Sequence, residues 1–196
     1  GVRVMKQSDD EHPSAASRDW ELKTPANGLH HAIGGKLTSA REDAAVIVDA
    51  VCEKLGVDVA CTSRARMLPW APEKGFAGWA SEATGVAQGL GIDEESALWL
   101  MRRHGSRVTD VFDIVRGMPQ YALRIVPEVP LIYADLLLCA REEMVVHLPD
   151  LLRRRMPLLI LAKLDAETVR HLAELVAPVL GWDVQRISDE VEACHT

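Results

Sequence analysis

A short glycine-rich stretch, Ile33-Gly34-Gly35-Lys36-Leu37-Thr38-Ser39, holds the residues of this sequence best suited to binding an anion. Its two glycines permit close backbone approach or positive φ angles. A lysine and two hydroxyl side chains follow, directly before a segment with helical spacing. Because the first N–H groups of a helix lack acceptors and lie at the positive end of its dipole, this arrangement predicts an anion site. The alternative is a tight strand-to-helix turn with an exposed lysine.

A helix is predicted directly after this stretch, over residues 40–55. Ser39 and Glu42 have the spacing of a capping box, which would start the helix, and Gly56 is suited to ending it. Apolar residues recur between them at helical intervals, at Ala40, Ala44, Ile47, Val48, Val51 and Leu55. The glycine-rich stretch is therefore predicted to lie at a helix N-terminus.

Two short strands are predicted in front of the glycines. Residues 18–23 form the first, and residues 29–33 form the second and lead the chain into Gly34. The turn between them contains Asn27-Gly28, a dipeptide that favours hairpins. Strand, glycine turn and helix in this order are typical of the edge of a cofactor-binding α/β domain.

Composition and charge exclude several classes of protein. Of the 196 residues, 48% are hydrophobic, which is enough for a core and argues against global disorder. The net charge of −7 argues against general nucleic-acid binding, which depends on neutralising phosphates. The four cysteines show neither CxxC nor zinc spacing, so we expect free thiols in a reducing, cytoplasmic compartment. No apolar run approaches the roughly 20 residues that span a bilayer, which leaves peripheral membrane contact open.

The remainder of the chain is predicted to be helical. Residues 57–78 are irregular and are predicted to form a linker that packs through its tryptophans. Asp93 and Asp165 are placed to cap helices, and Gly105 and Gly181 to end them. The apolar faces of these helices are predicted to include Ala97, Leu98, Met101, Val108, Val111, Phe112, Val115, Val169, Leu172 and Val176.

Three further helices are predicted towards the end of the chain. One covers the strongly apolar residues 131–144, and the next begins at Pro149 and is disturbed by Pro157. The last has Val184, Ile187, Val191 and Cys194 at helical intervals. The sequence thus predicts two domains, residues 1–60 and 61–196, of which the second is all-α.

Three other groups of residues are candidate sites. His30 and His31 point to opposite faces if they lie in a strand, so they would not bind one ion together. Residues 142–147 lack the two histidines, four residues apart, of a zinc-binding helix. Arg153-Arg154-Arg155 could contact lipid headgroups, a phosphate or acidic residues of a neighbouring helix, and pairing within the chain is favoured. The sequence predicts no metal site and no complete set of catalytic residues.

Several segments of the chain match, in order, the pattern of one family. Gly34-Gly35-Lys36-Leu37-Thr38-Ser39-Ala40-Arg41 is similar to Gly-Gly-Lys-Leu-Thr-Thr-Tyr-Arg, from which Ser39 and Ala40 depart. Gly1-Val2-Arg3 is similar to Gly-Val-Arg-Pro, with Val4 in place of the proline, and Ser17-Arg18-Asp19-Trp20 to Ser/Thr-Arg-Asp-Tyr. The helical half contributes His104-Gly105-Ser106, Ala140-Arg141-Glu142-Glu143-Met144, Asp150-Leu151-Leu152-Arg153-Arg154-Arg155 and Leu180-Gly181-Trp182. Together these segments resemble the C-terminal part of FAD-dependent, quinone-linked glycerol-3-phosphate dehydrogenases.

This resemblance implies roles for several residues and a fold. Arg3, Arg18 and Lys36 would bind the substrate, with Arg3 and Lys36 near its phosphate. The residues that would lie against the flavin are Gly34, Gly35, Lys36, Leu37 and Thr38. The implied fold is mainly α, with an all-α C-terminal cap domain. A short β-hairpin and a strand–turn–helix remnant of an FAD-binding α/β domain would precede that cap.

The resemblance also implies an activity for the intact protein. A hydride would pass from carbon 2 of sn-glycerol 3-phosphate to FAD, giving dihydroxyacetone phosphate, and the electrons would go on to quinone. Residues 1–5 look like a strand entered midway, so we expect the C-terminal part of a longer protein, inactive and without FAD when alone. The helical half would support a homodimer or peripheral contact with the inner face of the cytoplasmic membrane. A glycerol-3-phosphate oxidase and a non-catalytic helical interaction module stay open as alternatives.

Overall fold

The computed structural model of the protein describes residues 19–73 and 75–194. The chain divides into two compact units, and the boundary between them falls between Leu68 and Pro69. The sequence places its domain boundary near residue 60, and that boundary stays a prediction, because compactness alone does not define a domain. The fold class is confirmed: the described residues form helices and a single two-stranded sheet.

The first unit begins with the predicted hairpin. Strands β1 (Glu21–Lys23) and β2 (His31–Ile33) pair antiparallel, with Leu22 opposite Ala32. Both strands are shorter than predicted, because residues 19–20 precede β1 without pairing in the sheet and residues 29–30 belong to the link before β2. Within that link the Gly28 N–H donates to the Pro25 carbonyl at 3.1 Å, and the Asn27 side chain accepts from the Leu29 N–H.

Helix α1 (Ala40–Leu55) follows a short 3-10 turn over Leu37–Ser39. It ends as predicted at Gly56, whose φ of +67° is readily adopted only by glycine. Its apolar stripe is not covered, since Val48 is 56% and Leu55 is 70% exposed. None of residues 19–68 is buried. The described part of the first unit therefore lacks a hydrophobic core.

The second unit is all-α. Its longer helices are α2 (Phe76–Gly89), α3 (Glu94–His104), α4 (Val108–Gly117), α5 (Tyr133–Glu142), α7 (Ala166–Leu180) and α8 (Val184–Ala193), with a single turn, α6 (Leu158–Leu161), before α7. The predicted ends are confirmed: Asp93 and Asp165 cap α3 and α7, which end at Gly105 and Gly181. In this unit, no helix among the described residues is long and apolar enough to cross a membrane, and the same holds for α1.

Several helix predictions need correction. Leu98 is only half-buried, whereas Leu100 is fully buried, because the buried face of α3 runs through Ala97, Leu100, Met101 and His104. Val184 is 81% exposed at the first position of α8. Helix α2 already begins within the segment predicted to be irregular, and α5 is shorter than predicted.

Residues 150–155 form a π-helix instead of the predicted α-helix. The Met156 N–H reaches back five residues to the Leu151 carbonyl at 2.7 Å. Pro157 explains this, because a proline disfavours helical angles in the residue before it, and Met156 is extended with φ −118° and ψ 116°.

The core of the second unit consists of two clusters of buried apolar side chains. One lies among α5, the π-helix and α7, and the other lies among α2, α3, α4 and α5. Helix α5 contributes to both, with Leu136 and Cys139 in the first and Ala134 and Leu138 in the second. The elements that form the two clusters therefore pack against opposite sides of α5. The predicted apolar face of α4, from Val108 to Val115, lies in the second cluster.

The predicted packing of the linker through tryptophan is confirmed at Trp70. The Trp70 carbonyl accepts from the Ser106 N–H at 2.9 Å, and the Arg107 guanidinium lies 5.3 Å from the centre of the Trp70 ring. Gly105 has a φ of +59°, and a Cβ there would collide with the same carbonyl. Glycine is thus required at the end of α3 for two separate reasons.

We predict that residues 69–196 fold without residues 1–68. Both buried clusters lie within this segment, whereas the described residues of the first unit bury none of their side chains. The shorter chain should retain its helical far-UV circular dichroism and a single cooperative thermal transition. Residues 1–68 alone should show no such transition. A cooperative transition in the short N-terminal piece would contradict the prediction.

Candidate functional site

The glycine turn that follows β2 is formed by Gly34 and Gly35, with φ angles of +78° and +96°. A Cβ on Gly34 would collide with the Asp19 carbonyl. At Gly35 a Cβ would lie 3.2 Å from Asp43 Oδ2 and 3.3 Å from the Trp20 ring. Both positions therefore require glycine, which confirms the prediction of positive φ angles and close approach.

The turn is joined to α1 through Lys36 and the 3-10 turn. Lys36 is extended, with φ −126° and ψ 148°, and its carbonyl accepts from the Ser39 N–H at 3.1 Å. The predicted capping box does not form. The Ser39 hydroxyl donates to Asp43 Oδ2 at 2.9 Å, and Glu42 binds the Arg64 guanidinium at 2.6 Å. Each partner of the box is thus already bound by another side chain.

The side chains after the glycines face solvent. Lys36 and Thr38 are exposed, and Leu37 is 95% exposed. No acidic residue in the described ranges 19–73 and 75–194 pairs with Lys36. The predicted anion-binding residues of this turn are therefore accessible. Arg3 and Arg18, the other two predicted substrate-binding residues, lie outside the described residues.

His30 and His31 do not form a joint site. His30 Nδ1 lies 3.0 Å from the Thr24 hydroxyl, in the link between the strands, whereas His31 pairs with Lys23 in the sheet. The two imidazoles line different surface hollows. This agrees with the prediction that they do not bind one ion together.

A buried polar network in the second unit was not predicted as a site. Asp135, fully buried on α5, accepts from His104 Nε2 at 2.7 Å and from the Cys139 thiol at 3.3 Å. Arg103 completes the network, since its guanidinium lies 3.8 Å from Asp135, 3.1 Å from Cys139 Sγ and 3.6 Å from Glu143. The only feature of the sequence that indicates this network is a single acidic residue, Asp135, within the apolar run 131–140.

His104, Asp135 and Cys139 are also the group best placed to bind a metal in the described part of the chain, with ligand atoms within 4.8 Å of one another. Two observations oppose this. The Arg103 guanidinium already neutralises the carboxylate. The His104 ring and the Cys139 thiol already hydrogen-bond to the Asp135 carboxylate, at 2.7 and 3.3 Å, so the three groups bind one another. The arrangement supports a structural ion pair.

A second network joins α8 to the segment before the π-helix. Glu190 is buried, and its carboxylate accepts from the Leu148 N–H at 2.7 Å and pairs with His147 at 2.8 Å and Arg186 at 2.6 Å. The predicted pairing of the arginine cluster within the chain is confirmed for two members. Arg154 pairs with Asp150, and Arg155 donates to the Glu143 carbonyl at 2.8 Å.

Comparison with known proteins places this architecture in a family. Residues 63–187 match the family model described as the C-terminal domain of alpha-glycerophosphate oxidase. The matched residues include helices α2 to α7 and the start of α8, so the all-α unit is a known class of domain. The chain belongs to the family of the C-terminal domain of alpha-glycerophosphate oxidase.

The relatives confirm the resemblance drawn from the sequence. The chain is 29% identical over 194 residues to glycerol-3-phosphate dehydrogenase 2 of Mycobacterium tuberculosis, covering 97% of this chain and 33% of the relative. It is 31% identical over 163 residues to the aerobic glycerol-3-phosphate dehydrogenase of Staphylococcus aureus, covering 79% of this chain and 29% of that one. The chain thus spans about a third of the length of these curated relatives.

A solved structure agrees with the fold. The glycerol-3-phosphate dehydrogenase from Bacillus halodurans, complexed with FAD, superposes with a TM-score of 0.70 at 26% identity. The match covers 89% of this chain and 36% of the other. Because residues 69–196 alone are less than 89% of the chain, the match extends into residues 1–68 as well.

Removing the buried carboxylate should destabilise the second unit strongly. Asp135→Ala leaves the Arg103 charge and the His104 ring without their partner, so we expect a loss of about 3 to 5 kcal/mol in the free energy of unfolding. The matched control is Asp113→Ala, which removes an exposed ion pair with Arg116 and should cost less than about 1 kcal/mol. Urea denaturation of both variants measures the difference. Equal losses would contradict the structural role of Asp135.

The cysteines should react with iodoacetamide in a defined order at pH 8. Hydrogen bonds from Ser63 lower the pKa of the exposed Cys61 thiol, so Cys61 should react first. Burial raises the pKa of Cys194 to about 11 and that of the buried Cys139 further still, so Cys139 should react last. Mass spectrometry of peptides after timed quenching gives the order. Early labelling of Cys139 would show that its site opens to solvent.

Proposed function

We propose that this chain is the C-terminal part of an FAD-dependent glycerol-3-phosphate dehydrogenase. The intact protein would oxidise sn-glycerol 3-phosphate to dihydroxyacetone phosphate. One observation carries the proposal: an accessible Gly34-Gly35-Lys36 turn at the start of α1, in a chain that aligns over 97% of its length with such a dehydrogenase. A glycine turn and a lysine at a helix N-terminus suit a phosphate.

The residues present fit the cofactor and the substrate. Gly34 and Gly35 offer backbone without side chains, and the 95% exposed Leu37 offers an apolar surface to a flat ring. Lys36 would attract the phosphate of the substrate together with Arg3, and the resemblance implies that Arg18 would also bind the substrate. Bound FAD would supply the acceptor for the hydride from carbon 2. This chain's own part would be to hold the phosphate and to orient that carbon.

The exposed apolar stripe of α1 also supports the proposal. Helices of soluble proteins bury such a stripe, but Val48 and Leu55 are more than half exposed and α1 has no buried residue. In the proposed enzyme, the remainder of the flavin domain would cover this stripe. We therefore expect the chain alone to hold no FAD and to turn over no substrate. The helical unit would serve as a cap.

The electron acceptor and the cellular location belong to the same proposal. The relatives are named dehydrogenases, which supports an acceptor other than oxygen. Quinone as that acceptor, and peripheral contact with the inner face of the cytoplasmic membrane, are what the resemblance implies. The cap would support a homodimer or this membrane contact. The second candidate is an oxidase, which is favoured by the description of the matching family. If the intact enzyme formed hydrogen peroxide in proportion to the glycerol 3-phosphate that it oxidises, it would be identified as the oxidase.

Replacing Lys36 tests the site in the intact protein. Lys36→Ala removes a charge-assisted contact to the substrate phosphate, so KM for glycerol 3-phosphate should rise roughly 10- to 100-fold. Lys36→Arg should recover part of this loss because the charge is retained.

The matched control is Lys163→Ala, an exposed lysine of the helical unit, which should leave KM unchanged. Steady-state kinetics with an artificial electron acceptor measure all three variants. Unchanged kinetics in Lys36→Ala would exclude the proposed phosphate contact. An intact protein without dehydrogenase activity would instead favour the non-catalytic helical module.

A further inference from the structure

A cavity of about 800 Å³ opens in the second unit between the end of α3, the end of α5 and the π-helix. Four arginines line it: Arg102, Arg103, Arg154 and Arg155. Trp99 and Met144 supply its large apolar surfaces. Because the protein as a whole has a net charge of −7, the four arginines in one cavity wall are not what its overall composition would lead one to expect.

The acidic residues of the wall do not neutralise all of these arginines. Glu143 is shared by Arg103 and Arg155, at 3.6 and 3.9 Å. Glu142, the other acid in the wall, already pairs with Arg107 at 3.4 Å and Arg141 at 2.8 Å.

Arg154 pairs with Asp150, outside the wall. Arg102 is exposed, and no acidic side chain in the described residues pairs with it. The cavity therefore presents at least one guanidinium whose charge is not compensated. Such a group binds phosphate through two parallel hydrogen bonds.

The apolar lining is unusual in two respects. The Trp99 indole N–H is buried and has no hydrogen-bond acceptor in the part of the chain that the structure describes. Met144 has a φ of +51°, a conformation that costs energy for a residue other than glycine, and its side chain is 89% exposed. Met144 follows the C-terminal end of α5 and presents an apolar side chain next to the arginines of the cavity.

We propose that this cavity binds a phosphate-bearing anion whose apolar portion packs against Trp99 and Met144. The Arg102 guanidinium is the anchor, because Arg154 on the π-helix side is already paired with Asp150. The same chemistry is offered by a soluble phosphate monoester and by the headgroup of an anionic phospholipid. The proposal does not depend on the flavoenzyme activity, because every group it uses lies in the helical unit.

The first experiment follows the Trp99 indole resonance in ¹H–¹⁵N NMR spectra of the full chain, assigned with Trp99→Phe. Inorganic phosphate and butyl phosphate are the probes. Both should shift this resonance to saturation, with butyl phosphate binding more tightly because of its apolar portion. Arg102→Gln should weaken butyl phosphate binding about tenfold or more, the usual effect of removing a charge-assisted hydrogen bond.

The control variant is Arg170→Gln, another exposed arginine, on α7 and outside the cavity wall, which should bind as the unmodified chain does. Circular dichroism of both variants verifies folding. If both substitutions weakened butyl phosphate binding equally, the weakening would come from the change in net charge and not from a site at Arg102, and the proposal would be overturned. Absence of saturation with both probes would overturn it as well.

Vesicle sedimentation distinguishes the two sources of phosphate. Binding to phosphatidylglycerol vesicles but not to phosphatidylcholine vesicles, reduced by Arg102→Gln and by Met144→Ser, would assign a lipid headgroup. Saturable binding of butyl phosphate without vesicle binding would assign a soluble phosphate ester. Equal binding to both kinds of vesicle, together with no NMR shift, would show an apolar surface without a phosphate site and would overturn the proposal.

Discussion

The carboxylate of Asp135 is the constraint on which the helical unit depends. It is fully buried on α5, the helix that both core clusters share. An isolated carboxylate in such surroundings would cost several kcal/mol, so it must be paired. His104 and Arg103, at the end of α3, provide the pairing at 2.7 and 3.8 Å. The end of α3 is therefore held at one position along α5.

That position fixes the segments around it. Helix α3 must end directly after His104, and Gly105 allows it to do so with a positive φ and without a Cβ in the way of the Trp70 carbonyl. Ser106 then donates to that carbonyl, and Arg107 covers the Trp70 ring. Arg103 reaches on to Glu143, at the wall of the arginine-lined cavity. Arg103 thus connects the buried Asp135 carboxylate to Glu143 in the wall of the surface cavity.

The parts of this structure that could be predicted are those that depend on neighbouring residues. Asp93, Gly105, Asp165 and Gly181 fix helix ends through contacts within a few residues, and the sequence contains everything those contacts need. The positive φ angles of the glycine turn are local in the same way, but the groups that exclude a Cβ there include the Asp19 carbonyl and the Trp20 ring, both 15 residues earlier. The prediction of a capping box at Ser39 and Glu42 was wrong because Glu42 pairs with Arg64, more than twenty residues away, and the Ser39 hydroxyl donates to Asp43.

Partners distant in the chain account for the rest. The role of Asp135 depends on a helix 31 residues earlier, and that of Glu190 on a loop 42 residues earlier. Leu98 and Leu100 differ in burial only because other buried residues fix the face of α3. The proposed substrate roles of Arg3 and Arg18 rest on resemblance alone, since spacing does not show which distant residues share a site. For Lys36, the glycine-rich stretch itself also predicts anion binding.

The two units differ in what could hold an anion. In the first unit, Lys36 is accessible on a segment in which none of the described residues is buried, so its position depends on whatever covers α1. In the second, Arg102 follows Met101 and precedes Arg103, residues that the core and the Asp135 pair already hold in place. The backbone that carries Arg102 is thereby held in place, whereas the backbone that carries Lys36 lies in a segment without buried residues, so ordering Arg102 on binding costs less conformational entropy. For this physical reason the chain alone should bind phosphate better at its cap than at its glycine turn.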